Sequence, residues 1–589
     1  MFTSYLDLEK PKELTRHAAI ICLFIILSIF ITYPLIFNIG SVTSGVGDEL
    51  VLSYIQNYVI YGIIHHPLTL FNAPNYFPYL NTLAYSDSLI TSSLLLALPA
   101  WLFHQPIAIY NLTLLFSLSS LGWSTFFLIK YLTRDWLVSL LGGTLIIFSP
   151  VILDKYVHLQ VLFIFLVPLS FYFLIKFIDS KKEMYFYVFL LCFILQTLNS
   201  FLPGYFIVFG SILIVLIAYF KKELFISDLV TKKFILSGIF AVLILLPFII
   251  PYYQVSREFG YTRDIRDTIH FAVQPEDLWY TSQFSNLSPF LSQFWRTSTY
   301  PSSISFKNGF PGIAIFFLTV LTIYHLIKRK KLDYQLLSVS SIGLLGLILS
   351  LGPFLHINRQ TIHHPFPIPL PYLFFYYLIP GFNGMRNSAR WEVLFILGTI
   401  IAGSMVLHIL TRSWSSKKRY ILVLSLAVIT LVEFKPSINF VSIGKVSDFP
   451  KEYLYLQNQT NVRMVEMPIY NWNAEPYAKI EYLRQYYALS NLDVRRVNGV
   501  SGFSPPPWQE FVSSLLISFP SEKSLKELKS LGINTIIIHP QEYDQMVRDR
   551  YQVDKKFLPS STKIISSMDS SKLLIKLRSY STGVIYHLN

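Results

Sequence analysis

Of the 589 residues, 53% are apolar and 14% are charged, against roughly a quarter charged in an average soluble protein, which excludes an ordinary cytosolic enzyme. The formal net charge of +14 would suit a nucleic-acid binder, but Lys and Arg cluster at the ends of apolar stretches rather than along one polar face. Nucleic acid is therefore excluded as a partner, and the basic excess reads as a membrane-topology signal.

Apolar stretches long enough or nearly long enough to cross a bilayer lie at 18–36, 108–129, 136–150, 160–177, 185–200, 203–220, 234–250, 309–327, 335–352, 391–410 and 419–434. They predict an all-α polytopic domain of about 11 transmembrane helices. The first follows a charged start with no small-residue cleavage site after it, so it reads as an uncleaved span. A further stretch, 88–104, is interrupted by Pro99 and ends in His104, Gln105 and Pro106. Counting it as a crossing would put Lys130 and Arg134 outside and invert every later loop, so parity makes it re-entrant or surface-lying.

With that choice, Lys130, Lys176, Lys181, Lys182, Lys221, Lys222, Lys232, Lys233, Lys328–Lys331 and Lys417–Arg419 fall inside. Basic residues there occur at about one in three, against about one in eighteen outside, as the positive-inside rule requires. The expected location is a multi-pass cell membrane protein with a cytoplasmic amino terminus and an extracytoplasmic carboxy-terminal domain. Three outer loops are long, 40–107, 252–308 and 353–390, and loops of that length are usually functional. Cys22 and Cys192 sit inside apolar runs and define no disulfide framework.

Residues 1–444 carry 50 Asp, Glu, Lys and Arg and residues 445–589 carry 32, about twice the density, which divides the chain into a membrane domain, 1–444, and a small water-facing domain, 445–589. The latter reads as α/β. Val462–Met467 is an expected strand, Glu475–Tyr487 and Ser521–Ser530 are expected helices, and Ile533–His539 is an expected buried strand. A further pair, Lys563–Ser567 and Lys572–Leu577, flanks the turn-like Asp569 and Ser570.

Chemistry-bearing residues gather in the outer loops. Gly47, Asp48 and Glu49 precede a helix-like stretch, Leu50–Ile64, too polar to span but apolar enough to lie on the membrane. A carboxylate at that boundary can take a proton from an acceptor hydroxyl, with partial desolvation raising its pKa toward a useful value. Asp48 would equally serve as the helix cap. The second outer loop carries Asp154, Lys155 and His158 between two apolar spans, where ionisable groups face a cavity, each other or simply the surface. Arg257, Arg263 and Arg266 lie outside with Glu258, Asp264 and Asp267, while Arg386 and Arg390 have only Glu392 nearby. Guanidinium holds phosphate bidentately and keeps its charge, which suits a lipid phosphate; the first three have salt bridging as an equal alternative. The doublets His65, His66 and His363, His364 lack the spacing of a zinc site, and no phosphate-cradling loop or dinucleotide fingerprint occurs, which argues against a soluble nucleotide donor.

Five phrases occur in one order: GDE at 47–49, NAPNYFPYLNTLAYSD at 72–87, FSPVILDKYVHLQ at 148–160, PGFNGMRNSAR at 380–390 and VNGVSGFSPPPW at 497–508. Together they resemble the prokaryotic branch of polytopic GT-C fold glycosyltransferases related to the mannosyltransferase and aminoarabinose transferase families. The resemblance implies transfer of a sugar from a polyprenyl-phosphate carrier to a lipid, glycan or protein acceptor at the outer membrane face, hence a role in the cell envelope. It also implies a catalytic or acceptor-orienting acid at Asp48, with Glu49 beside it, and assistance from Asp154 and His158. Lys155 stands where the branch often has a second His, and Val500 where an aromatic often precedes the SGF phrase. A divalent metal stays open as a cofactor, with no ligand set assigned. The alternative is a non-catalytic or transport protein for lipid-linked glycans, flippase- or polymerase-like; it would be expected to place charges or broken helices at mid-membrane, whereas these spans are nearly charge-free and their polar residues gather on one outer face.

Overall fold

The structure is a computed structural model. It describes every residue except 1–10, 226–231, 281, 288, 291–308, 330, 358–359, 362–365, 471–476 and 554–555; the His363, His364 doublet lies outside the described residues. The chain groups into two compact units, one of Met1–Phe37, Thr113–Pro247 and Thr262–Ile438, the other of Asn38–Leu112, Phe248–Tyr261 and Asn439–Asn589.

The first unit is a bundle of apolar helices. Each of the eleven expected stretches is mostly helical, from Pro11–Ile31 to Ser416–Glu433, with 160–177 divided between the helices Leu159–Leu162 and Leu166–Ser180. Five helical segments are long and apolar enough to cross a membrane by length and composition: Ile107–Thr133, Leu159–Ser180, Phe201–Phe220, Lys232–Phe259 and Ser388–Thr411. Shorter apolar helices accompany them, among them Trp136–Phe148, Glu183–Asn199, Ile313–Lys328 and Tyr334–Ser350. Leu159–Ser180 is 94% buried over its most apolar window, whereas Lys232–Phe259 is 22% buried over its own. The second helix turns Ile235, Leu236, Ile239, Phe240, Val242 and Leu243 outward, a contiguous apolar face that requires lipid rather than water. The protein is accordingly a multi-pass membrane protein.

Local chemistry sets the helix ends and contacts. Asp135 caps Trp136–Phe148 by accepting from the Leu137 and Val138 backbone N–H groups at 3.1 and 3.4 Å. Tyr334–Ser350 and Glu392–Thr411 pack backbone to backbone. A Cβ on Gly346 would lie 2.4 Å from the Phe395 nitrogen, and one on Gly398 would lie 2.5 Å from the Gly343 nitrogen, so small residues permit the approach, as is common between membrane helices.

The second unit holds a mixed five-stranded sheet. Its strands are β1 Arg463–Met467, β2 Arg495–Arg496, β3 Thr535–Ile538, β4 Leu574–Ser579 and β5 Val584–Leu588, in the order β4-β5-β3-β1-β2. β1 runs parallel to β2 and β3, and β5 runs antiparallel to β3 and β4. Leu456, Val462, Met464, Val494, Ile537 and Ile585 form a core on it. The expected strand at 563–567 is instead part of a helix, Ser561–Asp569. Ile564 and Met568, four apart, face the core, and that helical spacing overrides the β preference of the Ile pair.

One further expectation is corrected. The helix Asp48–His65 forms as read, but Leu50, Val51, Leu52, Ser53, Tyr54, Ile55, Gln56, Tyr58 and Val59 are all buried inside the second unit. It packs on the helix Ala478–Tyr487 rather than lying on a membrane surface. The buried polar Ser53 and Gln56 explain the difference: the Ser53 hydroxyl donates to the Pro106 carbonyl at 3.1 Å and the Gln56 amide to Ser92 at 3.2 Å, partners that lipid lacks.

Candidate active site

In the second unit, the acid pair opens the helix Asp48–His65. Gly47 occupies the cap position and no side chain caps the helix, so Asp48 is the first helical residue rather than the cap. Both acids sit in the first turn, where the helix dipole favours negative charge. Asp48 is exposed, whereas Glu49 is 4% exposed and folds back over the preceding turn. The Ser44 hydroxyl donates to Glu49 Oε1 at 3.4 Å, and a Cβ on Gly45 would lie 2.5 Å from that oxygen. Only glycine leaves the carboxyl this room. Burial raises the Glu49 pKa from 4.5 to about 7; its own backbone N–H and the Ser44 hydroxyl oppose the rise, and the Asp48 charge adds to it. One acid is thus open to a reacting hydroxyl, and its neighbour holds or releases a proton near neutral pH.

Two of the recurrent phrases meet in this unit. The Arg496 N–H donates to the Pro74 carbonyl at 2.7 Å, and the Phe77 N–H to the Arg496 carbonyl at 2.7 Å, so the 72–87 phrase extends the sheet beyond β2. Tyr76 hydrogen-bonds Ser504 at 3.0 Å and stacks edge-on to Trp508 at 4.8 Å. Those phrases are architecture. His65 and His66 flank half-buried Tyr61, with His66 Nε2 3.8 Å from the Asp493 carboxylate, a surface ion pair.

In the first unit, the other two phrases meet. Asp154 is half-buried, Lys155 is 4% exposed and His158 is 8% exposed, just before the Leu159–Ser180 segment. Burial, then the charges of Arg390 and Lys155, hold the His158 pKa well below 6.5, so the imidazole is neutral at neutral pH. Arg390 comes from the short 3-10 helix Ser388–Trp391 that leads into Glu392–Thr411. Its neighbour Trp391 anchors that turn, wholly buried against Phe206 at 4.9 Å. A fixed guanidinium beside a neutral donor can attract and hold a phosphate.

The remaining arginines do not join this group as one set. Arg386 is exposed, with its guanidinium 4.8 Å over the Phe271 ring. Arg266 is exposed and donates twice to Asp264 Oδ2, at 2.7 and 3.0 Å, the salt bridge that its sequence neighbours suggest. Arg263 is tied by its backbone, its N–H donating to the Asn383 carbonyl at 2.9 Å. Arg257 belongs to the second unit, exposed beside Tyr253.

Sequence reasoning left Lys155, Asp277 and Glu392 without roles. Glu392 is 1% exposed at the start of its helix, and Lys155, Asp277 and Asp154 are the charges that reach it. The only sequence signal was an acid opening an apolar span. Among the described residues, no group of three or more His, Cys, Asp and Glu is placed to hold a metal ion.

No family model matches the chain, and no curated protein matches it. Solved structures do. The mycobacterial arabinofuranosyltransferase AftD matches 98% of this chain with 14% identity and a TM-score of 0.57, and a variant of that protein gives 13% and 0.52. The archaeal oligosaccharyltransferase AglB from Archaeoglobus fulgidus, solved with an inhibitory peptide and a dolichol-phosphate, is a weaker likeness: 11% identity over 91% of this chain and 71% of that one, with a TM-score of 0.43. This chain spans about two fifths of AftD, 40% of its length. At such identity the likeness is one of fold, and the fold is that of the GT-C membrane glycosyltransferases.

Proposed function

We propose that this protein is a membrane glycosyltransferase that moves a sugar from a polyprenyl-phosphate carrier to a lipid, glycan or protein acceptor on the outer face of the cytoplasmic membrane. The observation that carries the reading is the half-buried Arg390 guanidinium acting on a buried, neutral His158. Such a group at the end of an apolar segment suits the phosphate of a lipid rather than of a soluble nucleotide. The GT-C fold supports the same class of reaction.

In the reaction, the acceptor hydroxyl oxygen attacks the anomeric carbon, the bond from that carbon to the phosphate oxygen breaks, and the carrier leaves as its phosphate. Asp48 takes the hydroxyl proton, a step worth roughly a hundredfold to ten-thousandfold. Arg390 stabilises the charge that grows on the leaving phosphate. His158 donates a hydrogen bond to it without adding charge, Asp154 orients the group, and Glu49 holds the turn that presents Asp48. Arg386, Arg257, Arg263 and Arg266 remain candidates for guiding the anionic donor.

The test is the lipid and glycan pool of a deletion strain, together with transfer by the purified protein from polyprenyl-phosphate sugars. Accumulated lipid-linked sugar, or an acceptor lacking one residue, is expected; an unchanged pool with no transfer contradicts the reading. The proposed orientation predicts that an impermeant thiol probe on intact cells labels a cysteine at Lys523 and spares one at Ser415. The reverse pattern would invert the topology.

A further inference from the structure

Glu392 is a buried carboxylate whose two oxygens both lack a hydrogen-bond donor among the described residues. Lys155, the first of the charges that reach it, is buried too, and its ammonium makes no hydrogen bond or ion pair among the described residues. Neither group is spoken for elsewhere. The nearby Asp277 already accepts the Gln274 N–H at 2.9 Å. Gly309 closes the other side without filling it, since a Cβ there would lie 2.7 Å from Glu392 Oε1.

A buried polar group without partners is costly, so such groups are kept where a ligand completes them. The chemistry of the pair restricts that ligand. A carboxylate can only accept and an ammonium can only donate. A hydroxyl does both, accepting from Lys155 and donating to Glu392.

We infer that Lys155 and Glu392 form a hydroxyl-recognising subsite that takes a ring hydroxyl of a sugar. This deepens the glycosyl-transfer reading and rests on it. The hydroxyl belongs either to the sugar on the carrier or to a glycan acceptor. A site built to hydrogen-bond a hydroxyl discriminates strongly against ligands that lack one, because its buried polar groups are then left unpaired.

The experiment uses the full-length protein in detergent micelles. Equilibrium affinity is measured for undecaprenyl phosphate, for the same carrier bearing a pentose or a hexose, and for methyl glycosides of those sugars with bare carrier present. The readout is the ratio of sugar-bearing to bare affinity, about tenfold or more in the native protein if the hydroxyl is the donor's. A saturable methyl glycoside signal, with a donor ratio near one, assigns it to the acceptor. In either case Glu392→Gln and Lys155→Gln each abolish the sugar-dependent term. A merely structural role would change all affinities by one factor and keep the ratio, which overturns the inference, as does a site that holds only water. Lys155→Gln keeps the test decisive if Glu392→Gln fails to fold, as judged by its melting temperature. If the native protein neither prefers any sugar nor transfers one, the glycosyl-transfer reading falls and takes the inference with it. If it does both and the variants keep the preference, the inference alone falls.

Discussion

Glu466 and Glu392 are both carboxylates with almost no exposure, 0% and 1%, and their surroundings are opposite. Glu466, on β1, is held by the Arg496 guanidinium from β2 and by the Tyr453 hydroxyl, with His539 Nε2 3.5 Å away. Asn498 braces its backbone in both directions, at 2.8 and 3.1 Å. Arg484, Glu481 and Glu542 continue the network. Burial alone would raise the Glu466 pKa; Arg496, His539 and Arg484 outweigh it and hold the carboxyl well below the usual carboxylate range. Glu392 has one lysine within electrostatic reach and no donor. A satisfied buried charge is architecture, and an unsatisfied one marks a place where a ligand belongs.

The contrast can be broken first at its strong end. Arg496→Met should destabilise the unit that carries the sheet by about 3–5 kcal/mol, because it leaves Glu466 buried and uncompensated, and a large drop in melting temperature checks it. The sign with pH follows: a depressed carboxylate stabilises fully above its ordinary pKa of 4.5 and loses that contribution as pH falls through its lowered folded value. Next in size, Arg390→Ala should weaken donor use by about 1.5–3 kcal/mol, read as a raised KM for the polyprenyl-phosphate sugar, and Arg390→Lys should restore only part of it. An unchanged KM at limiting donor would make Arg390 structural.

At Glu49 the sign reverses. Its folded pKa of about 7 lies above the ordinary 4.5, so the turn at Ser44–Glu49 is held best below pH 4.5 and loosens as pH climbs through about 7. Glu49→Gln should remove that dependence, measured as amide hydrogen exchange at Gly45–Asp48 across pH 5 to 8. The smallest effect is expected at the other end of the comparison. Glu392→Gln should change thermal stability by less than about 1 kcal/mol, since it alters a carboxyl that no protein group satisfies. A loss as large as that at Arg496 would make Glu392 architectural.

Much of the helical fold was legible because apolar runs of bilayer length admit few other structures. Sequence could not say whether an apolar helix is buried by lipid or by protein, and the Asp48–His65 helix shows why: both environments select the same residues, and only Ser53 and Gln56 needed protein partners. The helix at Ser561–Asp569 was missed because two adjacent Ile residues weigh toward a strand more than one Ile–Met spacing weighs toward a helix. In the candidate site, Asp48 and Glu49 were legible as a pair. That one is exposed and the other folded over Gly45 is set by a glycine turn with no sequence signature of its own. Arg390 was legible among five arginines only as one of a group, because bringing 148–160 and 380–390 together is a tertiary event.

The most direct test of the account is the transfer rate of Asp48→Asn. The substitution keeps the side chain's size and removes its basicity, at an exposed position that caps nothing. The account predicts normal expression and melting temperature with transfer reduced roughly a hundredfold to ten-thousandfold. A folded Asp48→Asn protein that transfers sugar at the native rate would contradict it.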